Sequence, residues 1–89
     1  MNSTTLTRVP LATFSFSLVF DGIIEDLTEE LLNTLFEAGC DDAHVGVREG
    51  VLRITFDRES PSFRIALISA IADVERAGVG LELVRVEPA

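Results

Sequence analysis

The sequence predicts an α+β domain, on three observations. Residues 11–20, LATFSFSLVF, alternate strictly between apolar and polar positions. Two longer stretches, DLTEELLNTLFEAG and PSFRIALISAIADVERAG, repeat apolar residues at helical spacing and close on glycine. DAHVGVRE with VLRITF, and then VGLELVRVEP, supply further strand-like segments. Period two marks a strand with one buried face, and a period near 3.6 marks a helix with one apolar face.

In the first strand Phe14, Phe16, Leu18 and Phe20 face the core, and Thr13, Ser15, Ser17 and Val19 face away. DGIIED turns the chain. The first helix is capped either by Asp26, in a capping-box relation with Glu29, or by Thr28. Leu27, Leu31, Leu35 and Ala38 line its inner face, which Leu32 and Phe36 widen. Gly39 stops it, because glycine takes a positive φ without steric penalty. The second strand turns Ala43, Val45 and Val47 inward. A tight turn at Glu49 and Gly50 leads to a third strand, residues 51–56, with Leu52, Ile54 and Phe56 inward, so the pair forms a hairpin.

Ser60 as N-cap and Pro61 at the first helical position open the second helix, which runs to Ala77 and ends at Gly78. Phe63, Ala66, Leu67, Ala70, Ile71 and Val74 form its inner face; Ile65, Ile68 and Ala72 fall on the opposite side. In the last strand Leu81 and Leu83 lie on one face and Val84 and Val86 on the other, which a bulge or burial on both faces reconciles. Strand, helix, strand, strand, helix, strand, with right-handed crossovers around a hairpin, is the order of a ferredoxin-like (βαββαβ) plait. Its four-stranded antiparallel sheet has the order 4-1-3-2, with both helices on one face. The expected organisation is one domain over residues 11–89 behind a flexible polar segment, residues 1–10.

Composition bounds the function. Apolar residues make up 47% of the 89, enough for a packed core. One cysteine excludes a disulfide-built secreted scaffold. The start, MNSTTLTRVP, lacks the apolar run of a signal peptide, and no stretch is long enough to span a membrane. A cytoplasmic protein with no membrane partner is expected. The net charge is -8, from fifteen acids against seven arginines without a lysine. That balance suits a more basic protein partner and opposes phosphate-backbone binding.

Cys40, Asp41, Asp42 and His44 place four potential metal ligands within five residues. A structural zinc site needs a second pair of ligands, which is missing. Alternation sends His44 to the open sheet face. Cys40 follows the helix-stopping glycine, where a free thiol packs as a small hydrophobe, and the two aspartates suit the turn. No metal or cofactor is expected. Asp21, Glu25, Asp26, Glu29 and Glu30 gather where a helix N-terminus favours acids, and Glu29 and Glu30 offer a docking surface to a basic partner. The open sheet face carries Thr13, Ser15, Ser17, His44, Arg48, Arg53 and Thr55, polar and locally basic. Its aromatics all point inward, which opposes base stacking by RNA. Neither a phosphate-cradling loop, a nucleophile elbow nor a His–carboxylate pair is found, so an enzyme is not expected.

FEAGCDDAHVG, LRITFDRES, ALISAIADVERAG and VRVEP resemble, in register, a family of small bacterial DNA-binding regulators. In that family a domain of this element order precedes an excisionase-type helix-turn-helix. The resemblance covers about residues 14–88. It implies the plait and places GCDDA at a helix-to-strand corner. The family continues beyond VEP into the DNA-reading helices, whereas this sequence stops at Ala89, so direct DNA binding is not expected of any residue here.

The expected function is a non-catalytic protein-interaction or oligomerisation module, antitoxin-like or a regulatory accessory. It would meet itself or a basic effector or toxin through Ile65, Ile68 and Ala72 with Glu29 and Glu30. An aliphatic stripe on the solvent side of a helix is the feature behind this expectation. The alternative is a small-ligand-sensing domain, with Ser15, Ser17, Arg48 and Arg53 lining the site.

Overall fold

The computed structural model describes residues 10–21 and 27–89; the segment expected to be flexible, up to residue 9, and the turn containing Glu25 and Asp26 lie outside them. The elements are β1 (Ala12–Asp21), α1 (Glu29–Glu37), β2 (Ala43–Arg48), β3 (Val51–Ser60), α2 (Phe63–Ala77) and β4 (Glu82–Pro88). All strand pairs are antiparallel, and the sheet order is β2-β3-β1-β4. This is the expected order read from the other edge.

Alternation in β1 and β3 builds the core. Phe16 stands opposite Phe56, Leu18 opposite Ile54 and Phe20 opposite Leu52, and all six are buried. The Phe16 and Phe56 rings stack at 5.5 Å. Leu35 from α1 and Ala66, Ala70 and Val74 from α2 join the same cluster, so both helices close over one sheet face. The three small residues of α2 let that helix sit near the strands, while Leu67 and Ile71 pack at its flanks. Phe63 is partly exposed, yet its ring meets Phe14 and Phe16 edge-on at 6.1 and 5.6 Å and caps the end of the core.

Local signals fix the ends of the elements. Thr28 is the α1 N-cap, its Oγ1 accepting from the Leu31 amide at 3.1 Å. Glu49 and Gly50 both take positive φ, 56° and 78°, as a two-residue turn between paired Arg48 and Val51 requires. Gly78 caps α2 in the left-handed conformation.

Three expectations are corrected. The α2 N-cap is Ser62, which accepts from the Ile65 amide, rather than Ser60 before Pro61. β3 continues to Ser60 because Asp57–Ser60 still pair with Ala12–Ser15, so the chain is held in the ladder past the Ser-Pro signal. Leu32 and Phe36 are exposed rather than inward. α1 meets the core along the narrow row Leu27, Leu31 and Leu35, and residues one position further along turn about 100° away from it. In β4 the ambiguity resolves as a bulge: Val19 pairs with Arg85 and Phe20 with Leu83, leaving Val84 as the extra residue.

One ion cluster, buried at its Arg58 centre and open at Arg76, ties these elements together. Arg58 on β3 is nearly buried, and its guanidinium lies 4.9 Å from the Phe56 ring centre. It donates from Nε and Nη2 to the two carboxylate oxygens of Asp42, at 2.8 and 2.9 Å. Nη1 reaches Asp73 at 2.9 Å and donates to Ser69 Oγ at 3.0 Å, and Nη2 also donates to the Gly39 carbonyl at 2.9 Å. Arg76 bonds both Asp73 and the Ala38 carbonyl. Two arginines and two aspartates make the cluster neutral. Gly39 has φ 116°, and a Cβ there would lie 2.8 Å from Asp73 Oδ2, so this corner needs glycine for both backbone and space.

We expect Arg58→Ala to destabilise the domain by about 2–4 kcal/mol, because it leaves Asp42 without its counter-charge and Asp73 with only the exposed Arg76. Arg58→Lys should recover only part of this, since an ammonium cannot bond Asp42 bidentately while reaching Ser69 and Gly39. Urea denaturation of the three proteins measures the difference.

Candidate functional site

Three surfaces carry the sequence-predicted site residues. The first is the outside of the helix layer. Ile65 and Ile68 are 52% and 58% exposed and one turn apart on α2. Ala72, the next position of that stripe, is half-buried. Leu32 and Phe36 extend the apolar character onto α1, Phe36 being 62% exposed. Glu29, Leu32 and Phe36 follow at the same three- and four-residue spacing, so the acid at the helix start continues the apolar row. Glu30 and Glu37 stand beside that row and Glu75 lies on the last turn of α2, all exposed.

The second surface is the sheet face away from the helices, expected to be polar and locally basic. The structure divides it. Ser17 is 3% and Val19 1% exposed, so neither is displayed. Ser17 hydrogen-bonds Thr55 across the β1–β3 pair at 2.8 Å. Ser15 donates to Asp57. His44 is exposed on β2 opposite Thr55. Glu87 of β4, opposite Ser17, bonds both Arg53 on β3 and Arg85 on its own strand. Arg53 and Arg85 are the two cross-strand neighbours of Val19, so the bridged guanidinium groups flank its side chain on either side. The Arg53 hydrogen bond first, then that of Arg85, holds the Glu87 carboxyl below its ordinary value.

Toward the hairpin end of this face Arg48, Arg53 and Arg85 border a depression of about 530 Å³, with Gly46, Val47, Glu49 and Val51. The structure thus joins Arg48 to Arg53 and leaves Ser15, Ser17 and His44 outside the depression. Arg85 was missed. Its face on β4 depends on the bulge at Val84, and only its position two residues before Glu87 hinted at a shared partner.

The third surface is the corner after α1. Its four potential metal ligands diverge: Cys40 is buried, Asp41 is exposed, Asp42 holds Arg58, and His44 is on the far face of the sheet. Among the described residues no three His, Cys, Asp or Glu side chains gather around a common point. Burial, followed by the negative charge of Asp73, pushes the Cys40 thiol up to about 11. A protonated, buried thiol is a core group and a poor nucleophile.

Among the described residues, no helix is long and apolar enough to cross a membrane.

The Cys40 value has a measurable consequence. Its folded-state pKa lies above the unfolded value of about 9, so its contribution is complete below that value and is lost as pH rises through about 11. With neither lysine nor tyrosine in the sequence, no other side chain titrates in this window. Stability measured by denaturant titration should therefore fall from about pH 9 to 11 in the native sequence, and the alkaline limb should flatten in Cys40→Ala. No protein-family model matches the chain, and neither a curated protein nor a solved structure matches it.

Proposed function

We propose that this chain is a ferredoxin-like plait acting as a non-catalytic protein-interaction module, in the manner of an antitoxin or a regulatory accessory. The observation that carries the reading is the apolar outer surface of the helix layer, Ile65 and Ile68 on α2 with Leu32 and Phe36 on α1. Single exposed aliphatics are ordinary on soluble proteins, but isoleucines one turn apart, on a helix layer that also exposes a phenylalanine, are a candidate contact patch. Ala72 at the end of the stripe leaves room for a side chain of the partner.

Charge selects the occupant. The chain carries -8, and the exposed acids Glu29, Glu30, Glu37 and Glu75 outnumber exposed Arg64 and Arg76 on the two helices that bear the patch. A second copy would bring like charges together around the contact. A basic protein with an apolar centre gains both the burial and the attraction. The resemblance to the domain preceding an excisionase-type helix-turn-helix fits this reading, since such a domain has contacts to make other than to DNA.

Ile65→Glu/Ile68→Glu tests it. Both side chains are exposed, so the double variant should keep the circular dichroism and melting temperature of the native domain. Retention of basic proteins from native extract should drop by about thirtyfold or more, the scale of losing a central contact residue. Unchanged retention, with unchanged solution mass by analytical ultracentrifugation, would remove the helix layer as the contact surface.

A further inference from the structure

The opposite face of the molecule carries its own binding chemistry, independent of the helix-layer contact. Three of the seven arginines, from three different strands, border one depression in a chain with a strong negative total. Arg48 comes from the end of β2, Arg53 from β3 and Arg85 from β4. Glu49 is the acid in the lining and Glu87 bridges two of the arginines, while Asp21 and Glu82 follow on the same face beyond Val19.

The donors are only partly used. Arg53 donates to Glu87 from Nη1 alone, and Arg85 donates to it from Nε alone. Each guanidinium has five N–H groups in a rigid fork, so most remain available. Among the described residues the Arg48 side chain makes neither an ion pair nor a hydrogen bond, and it lies on the exposed rim. The bridging carboxylate of Glu87 fixes the orientation of two forks and shows that they accept an oxyanion between them. Gly46 stands opposite Arg53 in the ladder and bears no side chain. A Cβ there would meet nothing within 4 Å, so the depression owes its room to this glycine and to nothing that crowds it.

We infer that this depression binds a small oxyanion, a phosphate or carboxylate group on a small molecule. Arg48 would bind it from the hairpin side, and the free edges of the Arg53 and Arg85 guanidinium groups from the sheet side. Guanidinium forks match the paired oxygens of both groups. The volume, about 530 Å³, accommodates a ligand larger than the ion itself.

The test is a titration of the whole chain followed by amide NMR, with pyrophosphate and with citrate, against sodium chloride at matched ionic strength. Saturable shifts centred on Gly46, Arg48, Arg53 and Arg85 are expected with at least one of the two, and the tighter one tells phosphate from carboxylate. Arg48→Gln should weaken binding about tenfold or more, as the loss of a charge-assisted contact does. Gly46→Val should fill the depression and abolish binding in a folded protein. Arg64→Gln, which alters an arginine on α2 instead, should change nothing. Equal shifts with chloride, equal weakening by Arg64→Gln, undiminished binding by Gly46→Val, or no saturation by about 10 mM ligand, well beyond the common affinity range of such sites, would overturn the assignment. Neither outcome depends on Ile65 and Ile68, so this result and that of the helix-layer test are read separately.

Discussion

Arg58 occupies the one point where the end of α1, the start of β2, the outer half of β3 and the middle of α2 all meet. Its guanidinium binds a carboxylate, carbonyl or hydroxyl oxygen from each neighbour, Asp42, Gly39, Ser69 and Asp73. A core this small has little apolar area to fix the angle of two helices over a four-stranded sheet. Three small residues, Ala66, Ala70 and Val74, let α2 approach the strands but constrain its rotation weakly. The ion cluster supplies the missing directionality. A planar fork with fixed donor vectors is satisfied in one arrangement only, and an unsatisfied buried charge makes alternatives costly. Gly39 is part of the same constraint, since any side chain there would displace Asp73.

With the interior fixed in this way, the two exteriors are free to differ. The helix side shows aliphatic and aromatic groups next to acids. The sheet side shows arginines tied to one another through Glu87, with Ser17 and Val19 buried beneath the ladder of side chains. The molecule therefore presents two surfaces of unlike chemistry, back to back across one sheet. The buried Arg58 separates them, since it faces neither surface.

How much of this could be read from the residues depended on the range of the interaction. The alternation of Phe14 to Phe20 and of Leu52 to Phe56 needs only neighbours in sequence, and it gave the core strands correctly. The exposure of Ile65 and Ile68 follows from one helix's own geometry and was legible too. Leu32 and Phe36 were not, because the width of the buried row on α1 is set by how α2 and the sheet approach it. Ser60 before Pro61 is a strong local helix start, overridden by ladder pairing with residues 12–15 some forty-five positions earlier in the chain. The Arg58 contacts reach across 11 to 19 residues, beyond any local pattern, so Asp42 was read as a turn residue and its bidentate bond was missed. Ser17 looked displayed because alternation assigns a face but not what stands over it.

The bulge at Val84 affects how this lineage can change length. On either side of it β4 keeps its inward residues in step with β1, Leu83 against Phe20 and Val86 against Leu18. Removing that one residue would turn the bulge into a regular pair and leave both assignments intact. A one-residue deletion at the bulge is thus tolerable, and it keeps the arginine that reaches the sheet's outer face.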